Sequence, residues 1–355
     1  MMIDKKYICG IQQMGVGVQD ADLAFEWYRK NFGMDAIAFK ERAVAELMLP
    51  YTEGKKRERY AMLAVNMQGG GGFEIWQHTG KTPELPKIQP LLGDLGILVT
   101  KLKSADVKKA YNQFKDKGLD VLCQIQTGPD KKEFFFVKDP FGNIFQLVSE
   151  TNVYMQTEAV NGGVYGGIIG VSSMDKALKV YQDILEYDQI VYDKTDVFFD
   201  FAALPGGNRK IRRVLLAHSK VRTGSLSPLF GPTCIELVEL IDETAKPIFQ
   251  DRIWGDPGFI HLCFDVIGID ALRQEVESKG FPFTVDSAQS FDMGEAAGHF
   301  AYISDPDNTP IEFVETHKVP IIKKLGWFMN LKGRNPEKSL PRWMINTLSW
   351  KRVKN

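Results

Sequence analysis

The chain has 355 residues, 44% of them hydrophobic and 25% charged, with a formal net charge of −1. At roughly 150 residues per domain, that length exceeds one compact core and implies two or three. The near-zero charge excludes a global pull toward nucleic acid or an anionic membrane, and no stretch reaches the ~20 apolar residues of a membrane span.

The first residues, Met1 to Gly10, hold no apolar run of signal-peptide length. The four cysteines (Cys9, Cys123, Cys234, Cys263) are scattered and form no C-x-x-C pair. Together these features predict a cytoplasmic protein with reduced thiols.

Taken in order, the chain shows one pattern four times. A strand leads through a polar turn into an amphipathic helix ending near glycine, and further strands follow. The first copy opens at Ile11-Gln-Gln-Met-Gly-Val-Gly-Val18, continues with a helix over 21–32 stopped by Gly33, and closes at Gly72-Phe-Glu-Ile-Trp-Gln-His78. The second opens at Leu95-Gly-Ile-Leu-Val99. Its helix is predicted from Ser104 as N-cap to Lys117, and Lys138-Asp-Pro-Phe-Gly142 turns into its last strand, Asn143–Val148. The third opens at Tyr165-Gly-Gly-Ile-Ile-Gly-Val171, carries a helix over 174–185 and closes at Cys234-Ile-Glu-Leu-Val-Glu239. The fourth opens at Phe259-Ile-His-Leu-Cys-Phe-Asp-Val266, carries a helix over 269–279, and closes through Asp305-Pro-Asp-Asn308 into Pro310-Ile-Glu-Phe-Val314. The polar, glycine-containing segment Asn152–Gly163 marks the boundary between pairs of copies.

His261, Glu236 and Glu312 each lie near a strand centre between apolar neighbours. Strand alternation puts each on one face. One imidazole and two carboxylates so placed are costly to bury unless something pairs them, and a divalent cation would.

The order of elements resembles the vicinal oxygen chelate superfamily of glyoxalase, bleomycin-resistance proteins and extradiol dioxygenases, over about residues 8–316. The carriers are Lys138-Asp-Pro-Phe-Gly-Asn-Ile-Phe-Gln-Leu-Val148, Ser304-Asp-Pro-Asp-Asn-Thr-Pro-Ile-Glu-Phe-Val314, and the strand-to-helix openings after Val18 and Val171. The resemblance implies an α+β fold of four βαβββ modules, paired into two cupped half-barrels. The expected halves are an N-terminal domain over 8–152 and a metal-bearing C-terminal domain over 160–316.

In that family the ligands come from the first and last strands of each paired module. In the C-terminal cup those places fall on Gly166, Glu236, His261 and Glu312. Glu236, His261 and Glu312 are the expected ligands of one Zn, Ni, Co, Mn or Fe ion, and Gly166 leaves an open corner for water or substrate. The corresponding N-terminal set is Gln13, Glu74, Asp94 and Gln146, with no imidazole, which reads as a polar or structural pocket. Glu74, Trp76 and His78 share a strand face and suggest a small-molecule pocket there.

The chemistry the resemblance implies is a metal-dependent lyase or isomerase acting on a small hydroxy-carbonyl substrate through a metal-stabilised enolate. Glu312 or Glu236 is the expected base and His299 a second proton carrier. The alternatives are an extradiol ring-cleaving dioxygenase, against which the third opening strand lacks a histidine, and a non-catalytic binding protein of the resistance type. The expected partner is a small molecule, with the chain a monomer or homodimer.

Residues 317–355 lie outside the repeat and hold ten Lys or Arg against the single acid Glu337, plus Trp327, Phe328, Trp343 and Trp350. They are expected to wrap onto the cups with the tryptophans docked. Binding to a membrane surface or a partner is the alternative.

Overall fold

The computed structural model describes residues 5–288, 291–292, 297–322 and 327–353. The first module comprises β1 (Tyr7–Gly17), α1 (Ala21–Phe32), β2 (Ala36–Ala45), β3 (Arg57–Val65) and β4 (Gly72–His78). The second has β5 (Gly96–Ser104), α2 (Val107–Asp116), β6 (Asp120–Val121), β7 (Gln126–Thr127), β8 (Glu133–Lys138) and β9 (Ile144–Ser149). The third has β10 (Val164–Val171), α3 (Met174–Tyr181), β11 (Gln189–Asp196), β12 (Ile211–Ala217), the short α4 (Ser227–Phe230) and β13 (Cys234–Leu240). The fourth has β14 (Gly258–Ile267), α5 (Ile269–Ser278), β15 (Val285–Asp286), β16 (Phe291–Asp292), β17 (Ala297–Ser304) and β18 (Pro310–Ile322). The tail adds β19 (Trp327–Asn330) and α6 (Arg342–Asn346).

The helix boundaries follow local chemistry. Asp20 caps α1 by accepting from the Leu23 amide, and Gly33 ends it in the left-handed region at φ 64°. The second helix starts later than its sequence suggests. Ser104 is the last residue of β5, and Asp106 is the cap, its carboxylate accepting from the Lys109 amide.

The four modules are α+β units, as expected, but their pairing departs from the halves of the chain. One sheet runs β15-β17-β18-β14-β1-β4-β3-β2 and joins the fourth module to the first. The other runs β11-β12-β13-β10-β5-β9-β8-β6 and joins the third to the second. Within each module the first and last strands lie side by side and parallel; β1 meets β14 antiparallel at the centre of one sheet, and β5 meets β10 at the centre of the other. Sequential units usually neighbour each other, yet nesting modules 2 and 3 inside 1 and 4 also yields two complete cups.

Strand alternation then sorts the faces. Met14, Val16, Phe73, Ile75, Leu262, Phe264, Ile311 and Phe313 enter the main core with the apolar stripes of α1, α2, α3 and α5. The intervening residues of the same strands, including Gln13, Glu74, His261 and Glu312, turn to the opposite, concave face.

The tail packs back onto the first sheet, as expected, with β19 antiparallel to β18. Its docking residues include neither Trp343 nor Trp350. Leu340 and Ile345 are buried, whereas Trp343 and Trp350 are 53% and 71% exposed. Of the aromatic, basic stretch from Lys324, residues 324–326 lie outside the described residues. Among the described residues no helix is long and apolar enough to cross a membrane.

Candidate metal centre

Four polar side chains converge at the floor of the cup formed by modules 1 and 4. Gln13 of β1 donates through Nε2 to Glu74 Oε2 of β4 at 3.2 Å and to Glu312 Oε2 of β18 at 3.3 Å. His261 Nε2 of β14 lies 3.2 Å from each of the same two oxygens. Glu74, His261 and Glu312 thus offer ligand atoms within 4.8 Å of one another, the one such trio among the described residues.

Register explains the convergence. Glu74 lies beside Gly15 and Glu312 beside Cys263, and across the β1–β14 seam Gln13 faces Cys263 while Gly15 faces His261. Gln13 and His261 are therefore equivalent positions of two modules, as are Glu74 and Glu312. Gly15 is required here: a Cβ at that position would sit 2.4 Å from His261 Cε1 and 2.7 Å from Nε2. Any larger residue displaces the imidazole.

His261 is fully buried, stacked 5.9 Å from Trp254 and edge-on to Tyr302 at 5.7 Å. Burial opposes a charge on its ring, but the Glu312 and Glu74 carboxylates outweigh that and hold the imidazole up at about 9. Its Nδ1 and the Gln13 Oε1 are buried without a hydrogen-bond partner. Buried polar atoms are nearly always satisfied. Two carboxylates, an imidazole and an unsatisfied amide oxygen form a donor set that fits a divalent cation of borderline hardness.

The other residues expected at a metal lie elsewhere. Glu236 is on β13 in the other sheet, fully buried and already neutralised. Lys101 Nζ is 2.5 Å from its Oε2, Arg213 Nε pairs with Oε1, and Tyr192 Oη donates to Oε1 at 2.5 Å. Burial alone would raise its pKa, but Arg213 and then Lys101 hold the carboxyl down at about 2.

Gln146 accepts from Lys101 Nζ at 2.6 Å. Gly166 is no open corner, since a Cβ there would fall 1.7 Å from the Cys234 carbonyl oxygen. Asp94 shapes a turn, accepting from the Leu91 amide. His299 is on the face of β17 opposite Phe300 and Tyr302, away from this cup, with Nε2 2.6 Å from Asp286 Oδ1. Trp76 lines the cavity with Glu74, while His78 Nε2 sits 3.2 Å from the Trp254 carbonyl oxygen. The cluster therefore keeps His261 and Glu312 together, replaces Glu236 with Glu74 and adds Gln13. The sequence signal for both is their ligand-type side chains at the first and last strand positions of module 1.

The fold recurs in solved structures. Glyoxalase I from Zea mays is 13% identical, with a TM-score of 0.54 over 88% of this chain and 92% of that one. A putative dioxygenase from Bacillus subtilis is 11% identical, with a TM-score of 0.54 over 88% of this chain and 86% of that one. No curated protein matches the sequence. Residues 10–147 match the family model of the glyoxalase/bleomycin resistance protein/dioxygenase superfamily. The match to that superfamily therefore covers the first two modules, and the chain as a whole has the fold of these solved structures.

Proposed function

We propose that the chain is a divalent-metal-dependent lyase or isomerase acting on a small hydroxy-carbonyl substrate, with Gln13, Glu74, His261 and Glu312 holding the ion. The observation that carries the reading is the convergence of two carboxylates and a fully buried imidazole on one point, beside buried polar atoms that nothing in the protein satisfies. A divalent ion there would polarise a substrate carbonyl and make the neighbouring C–H more acidic. Glu74 and Glu312 approach from opposite modules, so one carboxylate can take a proton on one side while the other holds or returns one. The rings of Trp76, Trp254 and Tyr302 give the cavity an apolar lining beside these carboxylates.

Ring-cleaving dioxygenation is the second reading, favoured by the four-module architecture that this chain has in common with the putative dioxygenase from Bacillus subtilis. The donor set counts against it, because the usual two-histidine, one-carboxylate triad is met here by one histidine.

Elemental analysis of protein purified without chelators tests the main reading. About one divalent ion per chain is expected in the wild type, with loss of at least 100-fold in affinity for Glu312→Ala, since even outer-shell changes cost 10–100-fold. Equal metal content in both proteins would remove the assignment, and oxygen uptake with catechols would shift it to the dioxygenase.

A further inference from the structure

The cavity above the cluster has a volume of about 700 Å³, far more than a small hydroxy-carbonyl group fills. Its floor holds Gln13, Glu74 and Glu312, and one wall is formed by Phe39, Leu63 and Val65 of β2 and β3. A second wall comes from the tail beyond the fourth module: Met329 on β19, paired with β18, and Leu340, Met344, Ile345 and Leu348, which lie outside both sheets and share an apolar cluster with Leu63 and Val65.

That wall is held in place by specific contacts. The Leu340 amide donates to the Ser225 carbonyl at 3.0 Å, and Tyr154 Oη donates to Asn346 Oδ1 at 2.8 Å. Arg352 forks onto the Asp35 carboxylate, with distances of 2.8 to 3.0 Å. Between these ties Ile345 is buried, and Met344 and Leu348 are half-buried at the cavity edge.

The charged groups of the lining are already engaged. Arg59 pairs with Glu41, Glu46 with Lys56 at 3.1 Å, and Lys351 Nζ donates to the Ala38 carbonyl at 3.1 Å. Arg59 Nη1 has no hydrogen-bond partner but is itself buried.

We infer that the substrate carries, beside its metal-facing oxygens, an uncharged apolar body, an alkyl chain or ring system, and that Met344 and Leu348 set how large that body can be. The head-group position rests on the proposed metal reading; the apolar wall does not. Each methylene buried against such a wall adds about fourfold in affinity.

Two probes on the full-length chain separate these claims. Alkyl hydroxamates of two and ten carbons are titrated calorimetrically into cobalt-loaded protein, and 1-aminoanthracene fluorescence is followed in metal-free protein. The ten-carbon hydroxamate is expected to bind at least 100-fold tighter than the two-carbon one. Met344→Trp and Leu348→Trp are expected to shrink that ratio at least tenfold and to weaken aminoanthracene binding at least tenfold. Leu348→Ala, which keeps every tie of the tail, shifts the chain-length optimum upward and carries the test if the tryptophan variants unfold. Aminoanthracene and chain-length responses indifferent to residues 344 and 348 overturn the inference. If the hydroxamates ignore the metal while aminoanthracene still responds to residue 348, the metal reading fails and the wall assignment stands.

Discussion

Glu312 and Glu236 occupy equivalent places, each on the last strand of a module, beside Cys263 and Ile168 of the first. Their surroundings differ. Around Glu312 the nearest polar groups are a second carboxylate, an amide and an imidazole, and the cup above is an open cavity. Around Glu236 the cup is filled by Phe134, Phe136, Phe201 and Tyr192, and two cations of the chain itself close the charge balance.

The divergence starts at one position. Lys101 lies beside Gln146 as Gly15 lies beside Glu74, so the second cup carries an ammonium where the first carries no side chain. The places equivalent to Gln13 and His261 are Val99 and Gly166, neither of which can ligate. In the second cup Lys101 supplies one of the two cations that neutralise Glu236; in the first, the position equivalent to Lys101 is a glycine and supplies none.

The largest expected effect comes from breaking the self-neutralised cup. Glu236→Ala leaves Lys101 and Arg213 buried with Arg213 still held by Asp200 at 2.7 Å but Lys101 facing only an amide. Removing one partner of a buried pair costs about 3–5 kcal/mol, read as a lowered denaturant midpoint in urea unfolding. Glu312→Ala in the metal-free protein should cost much less, because His261 keeps Glu74 as an anionic partner. Equal losses for the two variants would contradict the contrast between the cups.

The next effect tests the position where the cups diverge. Gly15→Lys should lower metal affinity at least 100-fold, about 2.7 kcal/mol, because its Cβ displaces the imidazole and its ammonium can pair with Glu74. Urea unfolding of the variant beside the wild type checks that the chain stays folded. Isothermal titration with Zn²⁺ or Co²⁺ reads the change; an affinity within threefold of the wild type would show that Gly15 does not govern the site.

These contrasts also show what was legible in the sequence. The helices and closing strands are readable because their apolar residues recur at fixed periods and Asp-Pro turns mark the last strands of modules 2 and 4. His261 and Glu312 were readable as a pair because both belong to module 4 and stay in one cup under any pairing. The pairing itself was not readable. All four modules share the same apolar alternation, so nothing local distinguishes a partner next in sequence from one three modules away. Sequence order therefore puts Glu236 with the wrong partners, and Gln13 and Glu74, though ligand types, in a cup without an imidazole. Asp94 was a register error; the equivalent residue is Val99. Lys101 carried an unused signal: a lysine in the apolar alternation of β5 needs a buried anion, and Glu236 is that anion.

The smallest expected effect concerns protons. In metal-free protein the Glu312 and Glu74 carboxylates hold His261 at about 9, above the model-peptide value near 6.5. The imidazolium thus contributes stability that is fully present below about pH 6.5 and is lost as pH rises through about 9. A cation needs the neutral ring, so its binding expels one proton over that window. Metal affinity should rise about tenfold per pH unit between pH 6.5 and 8.5, about 1.4 kcal/mol each, and level off above 9. Glu236 has no such response near neutrality: at about 2, it loses its contribution only as pH falls from about 4.5 through about 2. Zn²⁺ titrations in buffers of differing ionisation enthalpy count the released proton directly. A flat affinity from pH 6.5 to 8.5 would mean that the ring is neutral before metal arrives, and that the two carboxylates repel each other across the empty centre rather than sharing an imidazolium.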